Sequence, residues 1–401
     1  MSKDPPHLPP LSRAVRELKP SGIRRFFDIA AKMHDVISLG VGEPDFVTPW
    51  AIREAAIYSL ERGQTSYTSN YGLLELREEI ARMIESRYNV SYSPEDEVLV
   101  TIGVSEAMDL ALRTLIDPGH EVLVPEPCYV SYKPCVSLAG GVPVGVPTSA
   151  DDGFRVSIEN LEAAITERTR AIIIGFPSNP TGATMPADRL RELVAFAVRH
   201  NLYIVSDEIY DRLTYEGLHT CVASLPQARE RTVLLNGFSK AYAMTGWRLG
   251  YACAPREILH AMMKIHAYTA LCAPIMSQKA ALEAIKGGDT PVEDMVLQYK
   301  HRRGLIVYGL NQIGLTCHMP QGAFYAFPSI ECTGLTAEAF SERLLFEERV
   351  AVVPGTAFGD CGQGYVRCSY ATNLEKIEMA LERMARFVAK VAPKAVSSKV
   401  V

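Results

Sequence analysis

The sequence predicts an α/β protein, with a large domain built on a mostly parallel seven-stranded sheet between helices and a smaller α+β domain after it. Three observations carry this expectation. Seven short apolar runs recur between residues 98 and 254, amphipathic stretches separate several of them, and long charged helical patterns take over after about residue 290. Strands that are apolar on both sides and alternate with helices belong in a parallel sheet covered on both faces.

The elements follow in chain order. Residues 1 to 20, opening MSKDPPHLPP, are proline-rich and polar and read as an extended arm; GIRRFFDIAAKM then reads as a short helix. ISLGVGEPDF (37–46) contains a GxG, but a dinucleotide-binding loop requires a strand–turn–helix context, and Pro44 with Asp45 interrupts it. From about residue 74 the pattern LLELREEIARMIESRY is helical. The strand candidates are VLVTIG (98–103), EVLVPE (121–126), GVPVGV (141–146), RAIIIGFP (170–177), LYIVSDE (202–208), TVLLNGF (232–238) and RLGYACA (248–254). In DRLRELVAFAVRH, Leu190, Leu193, Val194, Ala197 and Val198 share one helical face. Beyond residue 290, helices over 293–312, 336–347 and 373–391 surround the strand candidates GAFYAFP, VAVVPG and YVRCSYA. The expected division is an N-terminal arm and part of the small domain over 1–47, a large domain over 48–290 and a small domain over 291–401.

Composition narrows the function. The 401 residues carry a net charge of -5 with both signs interspersed, so no basic face invites nucleic acid. No apolar tract is long enough to cross a membrane. The nine cysteines are odd in number and lack CxxC spacing, which points to reduced thiols rather than a disulfide framework or zinc site. The start has charge and prolines where a signal peptide needs an apolar core, and a cytoplasmic location is expected.

The chemistry centres on FSKAYAMTGWRLG (238–250), where Lys240 stands in an apolar stretch with Arg248 eight residues on. A lysine at the edge of a core either snorkels to water or has a use for its amine, since desolvating an ammonium is costly. Burial and nearby positive charge lower its pKa, and a neutral amine forms a Schiff base with an aldehyde. Asp207 ends an apolar strand, where it caps a turn or faces a ligand beyond the strand's carboxyl end. Ser105 in GVSEAMDL lies at a helix start, a place for an N-cap or for an anion. Arg367 lies in the otherwise apolar GYVRCSYA, where a cation needs an anion.

FSKAYAMTGWRLGY resembles the lysine signature of the class I and II pyridoxal-phosphate aminotransferases, the fold-type I family. Further similarities run in family order from LGVGEPDF to GYVRCSYA, over nearly the full chain. The resemblance implies that Lys240 binds pyridoxal 5'-phosphate as an imine and shuttles the proton. It makes Arg248, Ser239, Ser105 and the backbone N–H groups of Val104 and Ser105 ligands of the cofactor phosphate. Asp207 would pair with the ring nitrogen, Asn179 and Tyr210 would donate to the phenolic oxygen, and Tyr129 would stack on the ring face. Arg367 and the backbone at Gly42 would grip the substrate α-carboxylate, with Asn179 beside them. Tyr67, in TSYTSNYG, would reach the phosphate of a neighbouring subunit, which implies a homodimer with shared sites. One departure stands out: at Gly237 many relatives carry a serine that also binds phosphate.

The implied reaction moves the amino group of an aromatic or aspartate-type L-amino acid to a 2-oxo acid such as 2-oxoglutarate in a ping-pong cycle. Alanine or methionine as donor, a carbon–sulfur lyase, and a non-enzymatic cofactor-sensing regulatory domain are the alternatives. The sequence offers aromatic residues near the site, among them Tyr129, Tyr132, Phe324 and Tyr325, and no arginine in a matching motif for a distal carboxylate; Arg24 is one candidate.

Overall fold

The computed structural model describes residues 9–18 and 33–392. Arg24, and all of the expected helix GIRRFFDIAAKM except Met33, lie outside the described residues. Within the expected extended arm, Arg13–Glu17 is a short helix with no buried residue. The arm reading underweighted RAVRE, a run of good helix formers in which Arg13 and Glu17 pair at 3.8 Å one turn apart.

Twelve strands occur among the described residues. They are β1 (Ile37–Ser38), β2 (Val98–Thr101), β3 (Glu121–Glu126), β4 (Val142–Pro147), β5 (Thr169–Gly175), β6 (Tyr203–Asp207), β7 (Thr232–Gly237), β8 (Gly250–Cys253), β9 (Tyr325–Ala326), β10 (Val350–Ala351), β11 (Val353–Pro354) and β12 (Val366–Ser369). The seven from β2 to β8 form one sheet in the order β2-β8-β7-β6-β5-β3-β4. Only β8 runs against its neighbours; the other pairings are parallel.

The sheet is buried on both faces, which is why its strands read as continuous apolar runs. In β5, Ala171 and Ile173 pack into one core cluster while Ile172 and Ile174 pack into another on the opposite face, all at most 2% exposed. Each of the three isoleucines contributes about 1.5–3 kcal/mol of hydrophobic burial. The helix Ala187–Arg199 covers one face through Leu190, Leu193, Val194, Phe196 and Ala197. Val198 is only partly buried, and Phe196 takes the place expected for it.

A second, three-stranded antiparallel sheet has the order β11-β12-β9, and β1 pairs in parallel with β10 through Ile37 opposite Val350. The N-terminal segment thus joins the C-terminal strands. The candidate GAFYAFP shortens to two residues and VAVVPG splits in two, while the helices Thr290–Gln312, Ala337–Glu348 and Leu374–Val391 cover them. The core beneath gathers Ile37, Leu39, Phe324, Phe340 and Val366 with Tyr210 and Leu213 from the loop after β6. The two packed regions therefore meet at the carboxyl end of β6.

Candidate active site

A cavity of about 850 Å³ opens where the two regions meet. Parallel sheets present ligand sites beyond the carboxyl ends of their strands, and Asn179, Asp207 and Lys240 follow or end β5, β6 and β7 there. The lining includes Gly42, Val104, Ser105, Tyr129, Asn179, Asp207, Tyr210, Ser239, Lys240, Arg248 and Arg367. Of the residues singled out in the sequence as site residues, only Tyr67 is elsewhere: it is 82% exposed and does not line the cavity.

Lys240 sits in the turn after β7, and its Nζ donates to the Gly42 carbonyl at 2.6 Å. Its amine faces the rings of Tyr210 and Phe324 at 5.7 and 5.6 Å. Burial and the nearby Arg367 push the amine down to about 8, against the pull of Glu43 and Asp207.

Asp207 is buried, and both of its oxygens are held. Tyr132 Oη donates to Oδ2 at 2.9 Å and the Ile209 N–H to Oδ1 at 3.2 Å. Burial pushes the carboxyl up to about 6 although both hydrogen bonds favour its charge. A cation placed against it would restore the ionised form. Tyr210 and Tyr325 share a hydrogen bond at 2.7 Å between their hydroxyls, and burial pushes the Tyr210 hydroxyl well above its ordinary range.

Arg367, 3% exposed, projects from β12. Its Nη1 donates to Asn179 Oδ1 at 2.9 Å and its Nη2 to the Gly40 carbonyl at 2.6 Å. Its guanidinium lies over the rings of Tyr325 and Phe358 at 4.5 and 4.9 Å, and its Nε has no partner. No ion pair forms to it among the described residues, and burial pushes its pKa below the usual arginine range. A buried guanidinium without an acid is costly unless an anion joins it.

Arg248 is exposed and adopts a left-handed backbone (φ 51°), with Nη1 donating to the Thr245 carbonyl at 3.0 Å. It stands over Gly103, the first residue of the helix Gly103–Leu115, where φ is 75° and a Cβ would meet Arg248 Nη2 at 2.8 Å. The helix has no side-chain cap, although the Glu106 carboxylate takes the Ile102 N–H at 2.6 Å. The following N–H groups of Val104 and Ser105 stand at the uncapped start, which favours an anion.

Gly237 belongs to the same close packing. A Cβ there would meet Gly250 Cα at 2.9 Å and the Leu249 carbonyl at 3.0 Å, and a Cβ on Gly250 would meet the Val104 nitrogen at 2.7 Å. Glycine at 237 thus accompanies a close approach between β7, β8 and the helix start.

Sequence reasoning did not find the contacts of Tyr132 and Tyr325, nor Glu43 and Gly40. Tyr132 lies one helical turn beyond Tyr129, which is the signal that would place it on the same side. Gly40 acts through its carbonyl, which leaves no mark in a sequence.

The residues fit a phosphorylated aromatic aldehyde. An accessible arginine beside a helix start suits a phosphate, a lysine with depressed pKa suits an aldehyde, and a buried carboxylate suits a cationic ring atom. Arg367, with an unpaired Nε, is left over for a carboxylate. Among the described residues no cluster of potential metal ligands occurs.

Comparison with known proteins shows the family to which the chain belongs. The family described as "Aminotransferase class I and II" matches residues 34–384. YugH of Bacillus subtilis (strain 168), provisionally named as an aminotransferase, is 56% identical over 380 residues, covering 95% of this chain and 98% of that protein. Aromatic-amino-acid aminotransferase 2 of Thermococcus litoralis is 44% identical, covering 94% of this chain and 97% of that one. The solved structure of the Thermus thermophilus aspartate aminotransferase with maleate superposes with a TM-score of 0.91 at 41% identity, covering 94% of this chain and 100% of that one.

Proposed function

The chain belongs to the class I and II aminotransferase family and is a pyridoxal-phosphate-dependent aminotransferase, and on that premise we propose its substrates and the task of each residue in the cavity. The donor is an aromatic or aspartate-type L-amino acid and the acceptor a 2-oxo acid such as 2-oxoglutarate, exchanged in a ping-pong cycle. The aromatic side of that choice has the better support from the lining. Its only lysine or arginine side chains among the described residues are Lys240, Arg248 and Arg367, and of the tyrosines in its lining Tyr325 alone has no task toward the cofactor or Asp207. Each of the three cations has a task, so among the described residues none remains for a distal carboxylate; Arg24 lies outside them.

Arg248, Ser239, Ser105 and the first N–H groups of the helix Gly103–Leu115 would hold the phosphate. Asp207 would hold the ring nitrogen, Asn179 and Tyr210 the phenolic oxygen, and Tyr129 the ring face. When bound through Lys240, pyridoxal phosphate supplies an electron sink for negative charge at the substrate α-carbon. With the cofactor and substrate in place, Lys240 Nζ would take the α-proton; burial and Arg367 already hold its amine below the ordinary lysine range. Arg367, with Asn179 and the backbone near Gly42, orients the α-carboxylate.

Tyr67, exposed and outside its own cavity, would serve the cavity of a second copy, so the working unit is a homodimer. Residues 48–290 would then form the cofactor-binding domain, and 291–401 with part of 1–47 a substrate-gripping domain that excludes water on closing. No helix among the described residues is long and apolar enough to cross a membrane, and a cytoplasmic location fits the proposed metabolic role.

The observation that carries this reading is the placement of Lys240, Asp207, Arg248 and Arg367 in one cavity, two of them guanidiniums without an acidic partner among the described residues. Borohydride reduction of the holoenzyme should fix the cofactor on the peptide containing Lys240. A panel of amino donors against 2-oxoglutarate, oxaloacetate and pyruvate should show aromatic donors leading. Fixation on another residue would overturn the site, and aspartate leading by tenfold or more would overturn the aromatic preference.

A further inference from the structure

Asp207 is the last residue of β6, and successive strand residues point to opposite faces, so Glu208 turns away from the cavity into the interior at 1% exposure. Its carboxylate is fully engaged there. Oε1 accepts from Ser206 Oγ and from the Val222 N–H, each at 2.9 Å, and Oε2 pairs with His219 Nε2 at 2.6 Å. His219 is itself only 10% exposed, and the Tyr88 ring meets it edge-on at 5.8 Å between centroids. Burial works against a charge on this imidazole, but Glu208 outweighs it and holds the pKa above the ordinary histidine value.

A buried carboxylate is costly to keep, and this one lies one residue from the acid that faces the cavity. The backbone links the two. The Glu208 N–H donates to the Leu235 carbonyl of β7 and the Asp211 N–H to the Glu208 carbonyl, each at 2.9 Å. The peptide between Glu208 and Ile209 is thereby fixed, and it is this peptide whose N–H holds Asp207 Oδ1. Tyr132 secures the other oxygen from the cavity side.

We propose that Glu208 and His219 are a positioning pair for Asp207: from behind the strand end they fix the direction of the carboxylate that keeps a ring nitrogen protonated. The inference rests on the assignment of Asp207 to that nitrogen. The pair touches neither substrate nor cofactor and acts through Asp207 alone.

The test uses the holoenzyme loaded with cofactor labelled with nitrogen-15 in the ring. In Glu208→Gln, the ring-nitrogen signal should move toward the unprotonated position, kcat should fall on the order of tenfold, and KM should stay within about twofold. Cofactor methylated on the ring nitrogen, whose charge does not depend on Asp207, should recover most of the lost kcat. His219→Gln keeps an N–H donor for Glu208 and should give a smaller change in the same direction; it decides the matter if Glu208→Gln does not fold. A wild-type ring signal in the folded variants, or no recovery with methylated cofactor, overturns the proposal. Asp207→Asn separates the two levels. If it leaves the ring signal unmoved, the assignment of Asp207 fails; if it moves the signal and Glu208→Gln does not, only the positioning pair fails.

Discussion

Arg248 and Arg367 present the same group to the same cavity from opposite conditions. Arg248 is exposed, braced by one carbonyl, and set beside the N–H groups of a helix start. Arg367 is 3% exposed, braced by Asn179 and Gly40, and walled by Tyr325 and Phe358. The first arrangement suits a doubly charged group that stays, because several weak donors share it and water tolerates its absence. The second suits a singly charged visitor, because a desolvated cation gains most when an anion arrives and loses most when the wrong group does. On the proposed assignment, residence and discrimination are divided between two copies of one side chain.

The contrast collapses entirely if the amine between them is not the reacting group, so the largest expected effect is at Lys240. Lys240→Ala should lower the transamination rate by about 10⁴-fold or more in a coupled assay. Next, Arg367→Ala should cost on the order of 100-fold or more in kcat/KM for amino donors while cofactor affinity changes by less than about threefold. Arg248→Ala should do the reverse, weakening cofactor binding by about 10- to 100-fold in a fluorescence titration while near-normal kcat returns at saturating cofactor. Because Arg248 is exposed, added salt should weaken cofactor binding in the parent enzyme more than it raises donor KM.

Two smaller effects sharpen the contrast. Gly237→Ser, which supplies a hydroxyl to the phosphate end, should destabilise the fold by about 1–3 kcal/mol, measured as a lower melting temperature, and should not tighten cofactor binding. If the neutral Lys240 amine is the nucleophile, as proposed, cofactor capture by the apoenzyme should accelerate as pH rises through about 8 and level off above it. Arg367 is the stronger of the two guanidiniums in holding that amine down. Arg367→Met should therefore move the midpoint upward further than Arg248→Met.

Most of the large sheet was legible because burial on both faces forces its strands to be apolar throughout; all seven candidates match observed strands to within a few residues. The short strands β9, β10 and β11 were harder, since two residues leave no periodicity to read. The site was legible where its chemistry needs an unusual residue in an apolar setting, as with Lys240, Asp207 and Arg367. Partners such as Tyr132 and Tyr325 were visible only as aromatic residues, because a tyrosine in a core and a tyrosine holding a carboxylate look alike in sequence. Glu208 was legible in principle, since strand alternation sends it opposite to Asp207, but its partner His219 lies beyond an intervening loop that no local pattern connects to it. The fit of Gly237 against Gly250 needed three dimensions, as close backbone approach leaves no sign in the residue letters.

The segment from Gly40 to Gly42 touches both charges through main-chain oxygens, Gly40 to Arg367 and Gly42 to Lys240. Residue 42 has a separate demand, since a Cβ there would meet Tyr325 Oη at 2.7 Å. Such braces depend on the length of the backbone between their anchors. A one-residue insertion or deletion between Ser38 and Glu43 would slide both oxygens at once, so the spacing of this stretch is answerable to two charges together.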